Sequence, residues 1–472
     1  MERLLVSLQK FMKLLINFFK NQQFFINIFI GILAIIIPII YRNLRIKRPY
    51  RIIWKKSSKL KPKDIFGSDF YRFNKDIPYH YSEIDNIIKN KILNRQNILI
   101  VGKPLAGKTR AIYQNLKELE KVCYVLVPKD GARLDEIIIP KLRFSKGRKV
   151  IVLDNFQNFL ERDRPDKKET AIREFIFKLS DKNIQIITSC RSGFELALLE
   201  HKIDISSIIK STENIVKITE LEEDEAKKIV KEEWNKFSFS EEFDGTIGSL
   251  ILPLNEMKNR FNNANESEKN ILVALKMLYI TGIYSERGLF LTDRIKLLCS
   301  TGNLKVSEGN FKECLSSLET KEFIEIENYD EVRAKDVYLE KIVKSKYRDD
   351  FEIFADIMDT FKKDPEALFM CGIRAYDISL VDIKRPKYLG ISITAFEEAL
   401  RVYTLKDYPI DYAMTKNNLG NAYGTLAEVK DKEGNCSKAI TAFKESLKVF
   451  TEIDYPVLNE SVKRNMELLK NI

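Results

Sequence analysis

Hydrophobic and polar positions divide this chain into stretches with different periods. Residues 24–40 (FFINIFIGILAIIIPII) are almost wholly apolar, and no charge falls between Lys20 and Arg42. A run of that length spans a hydrocarbon core as a helix, so a transmembrane helix is predicted over 24–41. Ahead of it, Leu4, Leu8, Phe11, Leu15 and Phe18 recur at helical spacing with lysines between them, predicting an amphipathic segment over 1–23 that lies on the membrane. Beyond it, short β-rich runs alternate with helical stretches. The runs are 97–101 (NILIV), 121–127 (KVCYVLV), 149–154 (KVIVLD), 184–189 (IQIITS) and 214–218 (NIVKI). That alternation predicts a parallel sheet covered on both faces, in an α/β domain over 64–220.

The pattern turns helical from Leu221. A helical lid is predicted over 221–267, broken near Gly248–Leu254, followed over 268–348 by three helices and the short strands 322–326 and 331–334, the order of a winged helix. The rest, 349–472, carries a repeat. Ile393–Thr404 with Asp407-Tyr408-Pro409 matches Ile440–Thr451 with Asp454-Tyr455-Pro456, 47 residues later. Between the copies, Leu419-Gly420 with Tyr423, and Ala439 with Phe443, supply the small and large residues by which tetratricopeptide helices interlock, so an α-solenoid is predicted. Its period exceeds 34 residues, and 431–436 is read as the inserted loop. Such stacks form a concave surface suited to an unidentified protein or peptide partner.

Charge sharpens the membrane reading. The 472 residues carry +11, but up to Lys63 there are 14 Lys and Arg against the single acid Glu2, while the remainder holds 65 basic against 67 acidic groups. The excess belongs to the N-terminus alone, with 42–63 read as a basic juxtamembrane linker. A nucleic-acid binder needs its excess on the folded domains, and the third helix of the winged-helix domain, Ser307–Leu318, has no basic face; both observations argue against nucleic acid. Four cations precede the apolar run and ten follow it, which predicts a single-pass protein of the cell membrane with its C-terminal domains in the cytosol. A cleaved signal peptide fits less well, since no small-x-small site follows the run. Six scattered cysteines without a C-x-x-C pair, and only two histidines, give neither zinc spacing nor a disulfide framework.

The chemistry sits in Gly102-Lys103-Pro104-Leu105-Ala106-Gly107-Lys108-Thr109, a P-loop that follows a predicted strand and opens a predicted helix beginning with Arg110. Glycines at 102 and 107 let backbone N–H groups converge on phosphate oxygens at the positive end of that helix. Lys108 is placed on the β- and γ-phosphates, and Thr109 on Mg²⁺. Asp154, about 45 residues on at the end of a buried strand, is the expected second Mg²⁺-side group. The following Asn155 orients water but cannot take a proton, so slow turnover is expected. Thr188, Ser189 or Arg191, at the end of the next strand, are candidates to sense the γ-phosphate. No LSGGQ or N-K-x-D stretch is present, which disfavours transporters and GTPases and favours ATP.

Taken with the winged-helix order and the repeats, GKPLAGKTR, VIVLDN and IITSCR resemble the STAND class of signalling ATPases, relatives of NACHT and apoptotic-type ATPases. The resemblance implies a closed monomer holding ADP that opens into a homo-oligomer when ATP replaces it. It implies nucleotide roles for Lys108, Thr109 and Asp154, a sensor role for Arg191, and adenine contact by Pro253. Where many members place a His-Asp pair on the winged helix to hold ADP, this chain has Lys335-Asp336. Two other functions are consistent with the same residues: an AAA-like ATPase acting on proteins or membrane, and a scaffold that nucleotide merely stabilises.

Overall fold

The computed structural model of the chain describes Lys10, residues 49–67 and residues 78–469, the latter apart from 121, 130–131, 133, 135–136, 143–146, 160–164, 203–204, 235–238, 240–242, 251–253, 286–287, 301–303, 329 and 345–346. The amphipathic segment (all but Lys10), the transmembrane helix and Pro253 lie outside the described residues. Among those described, no helix is long and apolar enough to cross a membrane.

Six strands form one sheet: β1 (Tyr50–Lys56), β2 (Ile98–Gly102), β3 (Cys123–Pro128), β4 (Arg148–Leu153), β5 (Ile184–Arg191) and β6 (Ile215–Lys217), in the order β1-β3-β4-β5-β2-β6. The period of two along each strand divides the apolar side chains between the sheet's faces. Ile98, Ile100, Val125, Val150 and Val152 pack on one face. They meet helices α1 (Pro62–Phe66), α2 (Glu83–Leu93) and α3 (Lys108–Lys117) through Ile65, Ile88, Ile92, Ile112 and Leu116. Leu99, Val101, Leu126, Ile151 and Leu153 pack on the other, against α4 (Pro165–Asp181), α5 (Phe194–Lys202) and α6 (Ile205–Ile209). Burial on both faces is why these strands read as continuous apolar runs.

Two expectations need correction. The residues read as the end of a basic linker, 50–63, belong to the α/β domain, and β1 runs antiparallel to β3, so the sheet is mixed rather than wholly parallel. Tyr50 and Trp54 anchor this strand by donating to the carbonyls of Ile138 (3.1 Å) and Pro140 (2.8 Å). The strand hid in the sequence because its register shifts between Tyr50 and Ile52 and again between Ile52 and Lys55, with Trp54 at φ 45°, so no clean alternation survives among the cations.

The lid contributes α7 (Glu223–Glu232), a 3₁₀ turn (Ile247–Leu250) and α8 (Leu254–Asn262). Next come α9 (Glu266–Ile280), β7 (Phe290–Leu291), α10 (Thr292–Ser300), α11 (Glu308–Thr320), β8 (Ile324–Asn328), β9 (Glu331–Ala334) and α12 (Asp336–Lys341). The strands form an antiparallel sheet in the order β7-β9-β8, a winged-helix layout with one more strand than the sequence pattern suggested. Two-residue β7 is too short to leave a period.

Among the described residues, six helices follow: α13 (Asp350–Thr360), α14 (Pro365–Ser379), α15 (Arg385–Ala399), α16 (Pro409–Ala427), α17 (Lys432–Leu447) and α18 (Pro456–Leu468). Helices α14 and α15 interlock where Gly372 leaves room for the Phe396 ring, since a Cβ there would sit 2.6 Å from it. Helices α16 and α17 repeat the device with Gly420 and Phe443, again at 2.6 Å. The second correction falls here. Residues 432–436 are the first turn of α17 rather than an inserted loop, because the Asp431 side chain caps the helix by accepting from the Gly434 N–H (3.3 Å). The 19-residue α16 and the connection over 400–408 account for the extended period.

Candidate functional site

Strand β2 delivers the chain into the glycine loop, and α3 starts at Lys108. Gly107 adopts φ 90° and Leu105 φ 67°, left-handed conformations that fold the loop back over the helix N-terminus. A Cβ on Gly102 would meet Ala106 at 3.0 Å, and one on Gly107 would meet Ile247 at 3.0 Å, so close approach favours glycine at both positions and backbone conformation favours it at Gly107 as well. The buried Lys108 ammonium donates to the carbonyls of Gly102 and Lys103, both at 2.8 Å, and so lies across the loop.

Strand β5 lies between β2 and β4, which brings the end of each to one sheet edge. There Thr109 donates its hydroxyl proton to Asp154 Oδ2 at 2.8 Å. Ser189 donates to Asp154 Oδ1 at 2.5 Å and accepts from the Asn155 N–H at 2.9 Å. Of the three sensor candidates, Ser189 therefore holds the carboxylate, while Thr188 donates to the Leu153 carbonyl at 2.8 Å and is structural. A hydroxyl beside a carboxylate is the hard oxygen set that suits Mg²⁺, and a loop of amides at a helix N-terminus suits polyphosphate, so the residues present fit both groups.

Arg191 ends β5 and points away from this pair, toward the winged helix. Its guanidinium pairs with Asp336, with Glu340 at 3.0 Å and with Glu195 at 3.8 Å, and lies 3.5 Å from the Tyr279 hydroxyl. Only 12% of its side chain is exposed. Burial by itself would push the guanidinium pKa down, but Asp336, Tyr279 and the two glutamates carry it well above the ordinary arginine value. Glu340 is raised by burial despite Arg191, and the Tyr279 hydroxyl, donating to Glu340, is also raised by burial. Of the Lys335-Asp336 pair, the aspartate reaches Arg191 of the α/β domain, and the Lys335 ammonium lies 5.8 Å from the Tyr338 ring centroid.

Two further contacts tie the loop to other modules. Gly248 of the lid donates its N–H to the Leu105 carbonyl at 2.9 Å, and a Cβ on Gly248 would fall 2.6 Å from that oxygen. The Leu105 side chain packs against a core that the lid helix α8, the winged helix and the first solenoid helices share. Beside the loop, Tyr79, His80, Ile84, Ile218, Trp234 and Ile247 line a cavity of about 170 Å³ reaching Gly107 and Arg110. The Arg110 guanidinium lies 5.8 Å from the Tyr79 ring centroid, and burial lowers its pKa. His80 closes the rim on Glu233 at 2.9 Å. Sequence reading missed this cavity; the cluster Tyr79-His80-Tyr81 ahead of α2 was its one local signal, and Trp234 and Ile247 had none.

No family model matches the chain, and no curated protein matches it. Among solved structures, the chain is similar to a Signal Transduction ATPase with Numerous Domains (STAND) protein with a tetratricopeptide repeat sensor from Pyrococcus horikoshii, at 16% identity and a TM-score of 0.30. The match covers 84% of this chain and 64% of that protein, just under two thirds of its length. So loose an overall superposition carries no argument about the site, which rests on the geometry above.

Proposed function

We propose that this chain is a membrane-anchored, nucleotide-controlled signalling switch of the STAND type, binding ATP or ADP with Mg²⁺ and turning ATP over slowly. In this reading the amides of Gly102–Thr109 and the Lys108 ammonium bind the phosphates, Thr109 and Asp154 hold Mg²⁺, and Ser189 orients Asp154. Magnesium, when bound, supplies charge neutralisation at the phosphates. The cavity at Tyr79 and Trp234 takes the base, since a largely apolar, aromatic-lined slot beside a P-loop suits a purine. Asn155 in place of a second acid leaves no general base next to Asp154, which supports slow turnover.

The observation that carries the switch is the attachment of the site to the winged helix. Arg191, two residues from the Ser189 that holds Asp154, is gripped by Asp336 and Glu340, and Leu105 of the P-loop packs against the core that the winged helix shares with α8 and the first solenoid helices. A change in what the loop binds therefore acts directly on the contact between the two modules. The membrane anchor rests on residues 24–41 and their flanking cations, and partner recruitment rests on the stacked helices α14–α18.

The test is Lys108→Ala in the full chain, purified in detergent, with labelled adenine nucleotides and light-scattering mass in ADP and in ATP. Saturable Mg²⁺-dependent binding and an ATP-dependent rise in mass are expected for the wild type, and both are expected to vanish in the variant. Unchanged assembly with lowered thermal stability would support the nucleotide-stabilised scaffold instead, and steady rapid turnover the AAA-like machine.

A further inference from the structure

We propose that the corner formed by the end of β1, the following turn and α1 is a docking face for anionic phospholipid headgroups, one that presses the α/β domain onto the bilayer with its nucleotide edge turned away. The proposal rests on the anchoring reading above and adds a second, folded contact to it. Residues 49–67 carry Arg51, Lys55, Lys56, Lys59, Lys61 and Lys63 against one acid, Asp64. That acid is withdrawn from the surface. It is 6% exposed, pairs with Lys55 at 2.5 Å and accepts from the Lys61 N–H at 2.7 Å. Lys56, Lys59, Lys61 and Lys63 are all exposed.

These four cations are not on a loose tail. Leu60, Ile65 and Phe66 are buried in the core beneath them, Pro62 opens α1, and Arg51 donates to the Ile65 carbonyl at 2.5 Å, so the corner is fixed before any surface arrives. Less side-chain and backbone freedom is then lost on docking. Register sets the direction. Lys56 lies opposite Tyr124 near the start of β3 and Tyr50 opposite Pro128 at its end, so the lysines sit at the sheet end opposite Asp154 and the P-loop. Exposed Arg95 and Lys182, which precede β2 and β5, share that end; exposed Glu120, before β3, and Asp181 are acids there and leave the cations in excess.

The tether makes a lipid the occupant the charge suits best. Seven residues, 42–48, separate the apolar run from Pro49, a reach of at most about 25 Å even when fully extended. A domain held that close to a leaflet meets its headgroups continuously. Each cation near an anionic surface multiplies association roughly fivefold, and the effect fades within a Debye length.

The experiment uses the full chain with vesicles of pure phosphatidylcholine and of phosphatidylcholine containing about a third phosphatidylglycerol, following flotation and amide hydrogen exchange. Flotation with both vesicle types is expected, with exchange in residues 56–66 slowed severalfold only where phosphatidylglycerol is present. That protection is expected to disappear in about 1 M salt, where the Debye length falls to about 3 Å. The variant K56Q/K59Q/K61Q/K63Q should float equally well and show no difference between vesicles. Equal exchange in the two vesicle types, protection that survives in the variant, or protection by RNA alone overturns the docking face. Failure to float with phosphatidylcholine is a separate result and sinks the anchor.

Discussion

Replacing Asp336 with Asn should loosen the docking of the winged helix on the α/β domain far more than it loosens either fold. Asparagine keeps the shape of aspartate and the acceptor that receives the Val337 N–H at 2.8 Å, so the start of α12 is preserved. What is lost is the charge facing Arg191. Removing one partner from a fully buried ion pair costs about 3–5 kcal/mol, because the other charge is left uncompensated. Here Arg191 is 12% exposed and Asp336 26%, and Glu340 remains at 3.0 Å, so water and the second carboxylate recover part of that. Roughly 1.5–2.5 kcal/mol is the remainder, a shift of about ten- to seventyfold in the balance between docked and undocked winged helix. Release of labelled ADP from the full chain should accelerate by at least about tenfold, and the ATP concentration needed for assembly should fall in step. A double-mutant cycle with Arg191→Gln isolates the contact: D336N on that background should add little. Fully additive effects, or a lowered Tm with ADP release unchanged, would refute the coupling.

Other consequences are smaller and equally direct. Ser189→Ala removes the hydroxyl that donates to Asp154 Oδ1 and accepts from the Asn155 N–H, so Mg²⁺-dependent nucleotide affinity, measured by calorimetry, should weaken by about 1–3 kcal/mol while Mg²⁺-free binding changes little; equal losses in both would make Ser189 merely structural. Gly420→Ala puts a methyl 2.6 Å from the Phe443 ring and should destabilise the solenoid by about 1–3 kcal/mol, whereas Gly390→Ala, with nothing within 4 Å, should stabilise it slightly in thermal melts. Glu268 caps α9 and pairs with Lys321 at 2.6 Å; burial works to raise its pKa, but Lys321, Ser317 and the Asn265 N–H outweigh it and hold the value below the ordinary 4.5. Its stabilisation is therefore present above that pH and lost as pH falls through the depressed folded value, and Glu268→Gln should flatten the acid limb of a stability–pH curve. An unchanged acid limb would remove Glu268 from the account.

Much of this protein was legible in its sequence. The P-loop and Asp154 follow from local order, because a strand, a glycine turn and a helix N-terminus are specified by neighbouring residues. The repeated pattern marked Gly420 and Phe443 as small and large residues of interlocking helices, but only packing paired the two with each other, and Gly372 with Phe396. Strand β1 stayed hidden because two register shifts erased its alternation among lysines, and only pairing with β3 made it a strand. Which polar residue of β5 holds Asp154, and which leaves for the winged helix, depended on the direction each side chain takes across the sheet edge. Arg191 meeting Asp336 and Glu340, Gly248 meeting Leu105, and Tyr79 sharing a cavity with Trp234 join residues from 143 to 155 positions apart, or bridge lid and loop. No local pattern encodes such meetings, since they arise from how separately folded modules bury their surfaces against one another. The sequence by itself determined what the site is made of; tertiary packing decided what the site is connected to.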